Sequence, residues 1–223
     1  MNADFAEQRI KMVDGQIRTT DVTDIPLLDA MLAVPREDFV PARRRALAYI
    51  DEDLLISGEA GKGARYLMEP SPFAKLVQLA AIRPGDFILD VGAGTGYSAA
   101  ILSRLASSVI ALESDAALAD QATATLAGLG YDNVAVVKGP LQAGYPSQAP
   151  YDVIFVGGCV EELPDALLAQ LKEGGRLIAV EGGGNAGVAR LYVKSNGIVS
   201  GRRAFNAAVK PLPGFERVRV FEF

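Results

Sequence analysis

Residues 88–97 read Ile-Leu-Asp-Val-Gly-Ala-Gly-Thr-Gly-Tyr, an apolar run with an acidic residue near its end, followed by three alternating glycines. Ser98 to Leu105 then carries a helical pattern, so the stretch predicts a strand, a tight turn and a helix. Glycines at such a junction let the backbone take positive φ and come close to a ligand with no Cβ in the way. The free amides at the helix start favour polar or anionic groups. Asp90, Gly92, Ala93, Gly94, Thr95 and Gly96 therefore read as a nucleotide-type cradle. It is not a dinucleotide fingerprint, which needs its third glycine at position 97, where Tyr97 stands.

Working outward, apolar runs at 108–112, 134–137, 153–156 and 176–180 alternate with helical patterns, notably at 115–129 and 163–171. Continuous apolar strands separated by helices imply a parallel sheet covered on both faces. After Gly182-Gly183-Gly184 the runs at 188–193, 199–205 and 218–223 follow one another without helices, so the sheet is expected to finish antiparallel. On the N-terminal side, helices are expected over 3–17, after the polar turn Thr19–Asp24, over 37–49 with a break at Pro41, and from Pro70. Residues 57–65 carry Gly58, Gly61 and Gly63 among charges and read as a mobile loop. The expected fold is α/β, a doubly wound, mostly parallel Rossmann-like sheet with antiparallel C-terminal strands and an N-terminal helical extension. Residues 1–70 are assigned to the extension and a lid loop, and 71–223 to the ligand-binding domain.

The chain has 223 residues, half of them apolar, with a formal charge of −5, and can bury a full core. The densest basic cluster, Arg43-Arg44-Arg45, reads as a solvated helix face, and the acidic balance argues against a nucleic-acid partner. A single cysteine, Cys159, in apolar surroundings implies a buried thiol and no disulfide. Histidine is absent, which excludes the usual Ser-His-Asp hydrolases and histidine-ligated zinc enzymes; no metal is expected. No segment approaches the roughly 20 apolar residues of a membrane span, and residues 1–10 lack a signal-type apolar core, so a cytoplasmic location and no membrane partner are expected.

The order G-x-G-x-G with Asp90 two residues ahead resembles the first motif of class I S-adenosylmethionine-dependent methyltransferases. That resemblance implies S-adenosyl-L-methionine as cofactor and S-adenosyl-L-homocysteine as product. Glu113 closes the next strand, where an acidic side chain in doubly wound folds accepts hydrogen bonds from ribose hydroxyls. The alternative is that Glu113 only caps the helix from Asp115. The resemblance adds Ser114 and Gly139-Pro140-Leu141 to the cofactor contacts. Pro140 stands where the superfamily commonly places an acid facing adenine, which implies backbone and apolar contacts there instead.

A narrower resemblance rests on residues 28–41, Leu-Asp-Ala-Met-Leu-Ala-Val-Pro-Arg-Glu-Asp-Phe-Val-Pro, and on Ala48-Tyr49 with the acidic Asp51-Glu52-Asp53. Ile82–Asp86, Tyr151–Ile154 and Leu171–Leu177 continue it. Together these are similar to the protein-L-isoaspartate O-methyltransferases over nearly the whole chain, which implies carboxyl methylation of isoaspartyl residues in damaged proteins. One segment departs from the family. Its glycine- and histidine-containing loop followed by Thr-Ile-Ser-Gln-Pro aligns with Tyr66-Leu67-Met68-Glu69-Pro70, so Met68 takes the serine position beside methyl transfer and Glu69 the glutamine. Tyr66 and Leu67 then fall on the cofactor side. Met68 can pack but cannot donate a strong hydrogen bond, which implies weak isoaspartyl turnover, another acceptor such as an unidentified small molecule, or cofactor binding with little catalysis. A carboxylate acceptor needs no general base; a phenol or amine would, with Glu59, Glu69 or Tyr66 as candidates. No catalytic residue is assigned.

Overall fold

The computed structural model describes residues 4–59, 61, 63–183 and 186–217. Its main sheet is built around β3 (Phe87–Val91), flanked by β4 (Ser108–Glu113) and β6 (Tyr151–Val160). Beyond β4 lies β5 (Val134–Lys138), and beyond β6 come β7 (Leu171–Glu181), β8 (Val188–Ser195) and β9 (Ile198–Asn206). The pairs from β5 to β7 are parallel and the last two are antiparallel, as expected. Burial explains the division. The sequence Phe-Ile-Leu-Asp-Val of β3 is enclosed on both faces, whereas β9 is mostly exposed and alternates less strictly. The expected strand over 218–223 lies outside the described residues.

Helix α4 (Tyr97–Ser103) follows β3 and α5 (Ala116–Gly128) follows β4. Gly96 caps α4 at φ 97°, and a Cβ there would sit 3.0 Å from Leu126 Cδ1, so the third glycine of the motif serves the packing of α4 on α5. Helix α6 (Asp165–Ala169) is shorter than the pattern over 163–171 implies, because Pro164 sets its start and Leu171 already belongs to β7.

Three N-terminal details differ from expectation. Helix α1 (Phe5–Met12), capped by Asp4, widens into a π-helical stretch at Val13–Ile17 before a 3₁₀ turn. Helix α2 (Ile25–Ala33), by contrast, follows the Thr19–Asp24 turn as expected, capped by Asp24 with Pro26 in its first turn. The helix expected over 37–49 is two 3₁₀ turns, Arg36–Phe39 and Ala42–Leu47, because Pro41 drives Val40 to φ −111°, ψ 140° and stops the ladder. The segment read as a loop ends in strand: β1 (Leu54–Ser57) pairs antiparallel with β2 (Arg65–Leu67), and α3 (Pro70–Ala80) follows. Met12, Ile17, Met31, Phe39, Phe73 and Tyr97 join Phe155 of the sheet in a single apolar cluster, so the extension packs on the sheet without an intervening gap.

Candidate cofactor and acceptor site

The strand order reverses direction around β3, and its carboxyl end is the place where open α/β sheets bind ligands. Gly92 and Gly94 stand there at φ 85° and 58°. The Gly92 and Ala93 amides donate to Leu112 O at 2.9 and 3.2 Å, tying the turn to β4. A Cβ on Gly92 would lie 2.8 Å from Leu212 Cδ1, and one on Gly94 2.8 Å from Ile56 Cδ1. Only glycine permits both approaches. A narrow cleft opens beside the turn, lined among others by Ile56, Tyr66, Met68, Gly94, Tyr97 and Phe155.

The candidate residues divide by where they point. Gly92, Ala93 and Gly94, with Tyr66, Leu67 and Met68, all line the cleft. Thr95 turns away, its hydroxyl donating to Phe39 O at 2.6 Å. Asp90 is wholly buried: its Oδ2 accepts from Ser98 Oγ at 2.6 Å, and its Oδ1 has no partner. Burial pushes its carboxyl up to about 7, the Ser98 hydroxyl opposing and Glu113 adding to the shift. Ser114 is exposed and directs its N–H to Glu113 Oε1 at 2.8 Å. Gly139 N donates to Glu113 O at 3.1 Å, Pro140 is exposed, and Leu141 is buried in the core on the other face of the sheet; these three flank β4 without lining the cleft.

Glu113 is the most heavily bonded carboxylate of the site. Its Oε2 accepts the Gly94 N–H at 2.7 Å and Arg65 Nη2 at 2.8 Å; its Oε1 accepts Arg65 Nη1 and the amides of Ser114 and Asp115 at 2.8 and 2.9 Å. The helix cap is Asp115, which accepts from the Ala117 and Leu118 amides. Arg65 is a site residue that the sequence reading missed. A lone arginine between a glycine loop and an aromatic carries no motif, and its partner lies 48 residues away.

On the acceptor side, Met68 is buried and its carbonyl accepts Arg36 Nη2 at 2.7 Å. Arg36, also buried, donates through Nε to Ala48 O at 2.8 Å. Glu69 donates its N–H to Asp53 Oδ1 at 2.9 Å and shares an open recess with Asp51, Glu52, Asp53 and Lys210. Burial, then the charge of Asp51, pushes the Glu69 carboxyl up to about 7. Glu59 is exposed and lines neither the cleft nor this recess. Among the described residues no group of three His, Cys, Asp or Glu could hold a metal ion, and no helix is long and apolar enough to cross a membrane.

A doubly wound sheet with a glycine turn at the end of its central strand and an acid closing the next defines an S-adenosylmethionine-type methyltransferase domain. The family described as Protein-L-isoaspartate(D-aspartate) O-methyltransferase matches residues 7–214. A protein-L-isoaspartate O-methyltransferase of Koribacter versatilis is 42% identical over 175 residues, 78% of this chain and 76% of that one. One of Roseiflexus castenholzii is 37% identical over 211 residues, 95% of this chain and 94% of that one. A solved protein-L-isoaspartate O-methyltransferase superposes with TM-score 0.80 at 29% identity, over 92% of this chain and 66% of that one. A putative protein-L-isoaspartate O-methyltransferase of Plasmodium falciparum, in complex with S-adenosyl-L-homocysteine, shares the fold at TM-score 0.76 and 21% identity, over 94% and 98% of the two chains. The chain belongs to the protein-L-isoaspartate(D-aspartate) O-methyltransferase family.

Proposed function

We propose that this chain binds S-adenosyl-L-methionine at the β3 turn and methylates the side-chain carboxylate of isoaspartyl residues in proteins or peptides. The observation that carries the reading is one continuous cleft joining the glycine turn to Met68, the family's acceptor position, in a chain that matches the family over residues 7–214. The residues present fit the cofactor: the glycine surface admits a close-lying group, and the unpartnered Oδ1 of Asp90 suits a donor such as an amino group. When bound, the cofactor supplies an electrophilic methyl on a sulfonium.

The glycine turn at Gly92–Gly94 would hold the nucleoside, Glu113 would accept from its ribose, and Ser114 and Gly139 would lie toward the base. Ile56, Tyr97 and Phe155 keep water from the reacting centre. The acceptor carboxylate is ionised at neutral pH, so no residue has to remove a proton and rate comes from alignment. Lys210, whose ammonium lies 5.8 Å from the Tyr66 ring centroid, offers positive charge on the acceptor side. A protein acceptor in the cytoplasm, with no nucleic-acid partner, suits the net charge of −5. The reading is tested by incubating the protein with labelled S-adenosyl-L-methionine and either an isoaspartyl peptide or its aspartyl isomer. Base-labile methyl ester only on the first supports it; no ester on either, with cofactor bound, removes the acceptor assignment.

A further inference from the structure

The carboxylate of Glu113 is saturated. Two oxygens offer about four lone-pair sites, and six donors converge on them. Three of these are backbone amides of Gly94, Ser114 and Asp115, fixed by the turn and the end of β4. One is the Ser114 hydroxyl, at the long distance of 3.4 Å, and two belong to Arg65, a side chain brought in from β2 and only 7% exposed. Arg65 also donates through Nη2 to Gly92 O at 3.1 Å, and a Cβ on Gly92 would sit 3.4 Å from that same nitrogen. The guanidinium therefore lies across the face of the turn that glycine leaves open, with its fork on the acid that a ribose would use.

We propose that Arg65 is an exchangeable occupant of the ribose position and thereby sets cofactor affinity: the nucleoside binds by taking Glu113 from the guanidinium. This rests on the reading of Glu113 as the ribose acceptor. The three amides are fixed by the backbone and the Ser114 hydroxyl is a 3.4 Å contact, so Arg65 is the strongly bonded donor that can leave without unmaking the turn or the end of β4. A displaced guanidinium also has a second carboxylate close by, because Arg65 lines a narrow crevice together with Asp53, Tyr66, Met68 and Lys210. Asp53 there is a carboxylate partner for it. The exchange moves a positive charge from the cofactor side to the acceptor side, where an anionic acceptor docks. Cofactor binding therefore raises the affinity for an anionic acceptor, and the acceptor that of the cofactor.

The test is calorimetric binding of S-adenosyl-L-homocysteine to the wild-type chain, Arg65→Gln and Glu113→Gln, with stopped-flow traces on the first two. Removing the competitor should lower Kd on the order of tenfold in Arg65→Gln, since an occupied site taxes the apparent affinity by its free fraction. Wild-type observed rates should plateau with ligand concentration, and those of Arg65→Gln should rise linearly. Glu113→Gln should bind more weakly than wild type. If Arg65→Gln binds equally or less tightly while Glu113→Gln is weakened, the exchange is wrong and the ribose reading stands. If Glu113→Gln binds as wild type, the ribose reading fails and the exchange with it. Should circular dichroism show Arg65→Gln unfolded, Arg65→Lys decides instead: it keeps the charge but loses the two-point fork, so tighter binding supports the exchange and equal or weaker binding overturns it.

Discussion

The Arg36 guanidinium carbon lies 4.8 Å from the centroid of the Tyr97 ring, so a cation buried in the core stacks on the first residue of the helix that follows the glycine turn. Two main-chain carbonyls, Ala48 O and Met68 O, accept from its Nε and Nη2, and its Nη1 is buried without a partner. Replacing Arg36 by leucine strands both carbonyls and removes the cation–π contact, an expected loss on the order of 3 kcal/mol. Lysine cannot reach two acceptors at fixed angles and should recover less than half of it. Urea unfolding of the three chains measures this.

Gly94 combines φ 58° with a Cβ direction that meets Ile56. Gly94→Ala is expected to cost about 1 kcal/mol of stability through backbone strain and to weaken S-adenosyl-L-homocysteine binding at least tenfold. Gly94→Val, with two γ-methyls, should abolish measurable binding. Retention of wild-type affinity in the valine variant, read by calorimetry, would remove the turn from the site.

Met68 is the departure with the most direct chemical readout. Met68→Ser introduces a hydroxyl donor in the wall of the cleft, and methyl-ester formation on an isoaspartyl peptide should rise severalfold with cofactor Kd unchanged. Wild-type turnover equal to that of Met68→Ser would mean that the acceptor is positioned without the hydroxyl.

The buried Asp90 carboxyl imposes a direction on the pH dependence of stability. Its folded value, about 7, lies above the ordinary carboxylate value, so between about pH 4 and 7 the folded state holds a proton that the unfolded state has released. Stability should therefore fall as pH rises through that window, by at most about 1.4 kcal/mol per pH unit from this group. Asp90→Asn should flatten that part of a urea-midpoint profile taken from pH 4 to 8.

How far the chain could be read in advance follows from how local each signal is. The strand, turn and helix over 87–103 lie within one short window, and the apolar runs of β3 to β7 are too continuous for anything but a covered parallel sheet. The hairpin of β1 and β2 was invisible because strands of four and three residues carry no periodicity; their pairing depends on the turn they cover. The two 3₁₀ turns were read as one broken helix because spacing does not separate three residues per turn from 3.6 over so short a run. The places of Asp90 in β3 and Glu113 at the end of β4 follow from the apolar runs around them. Their partners do not: Arg65 reaches Glu113 from 48 residues upstream, and Leu212 closes on Gly92 from the other end of the chain.

The hydrogen bond from Thr95 to Phe39 O limits how this molecule can be divided and recombined. With the Arg65 ion pair to Glu113 and the Gln78 side chain accepting the amides of Thr23 and Asp24, it makes the N-terminal part a wall of the cleft as well as a cover for the sheet. A chimera that took residues 71–223 from this chain and its N-terminal part from a relative would inherit a glycine turn whose rear contacts were shaped by another sequence. Transplanting acceptor preference between such proteins therefore means moving residues 36–39, 65–68 and 94–97 as one block.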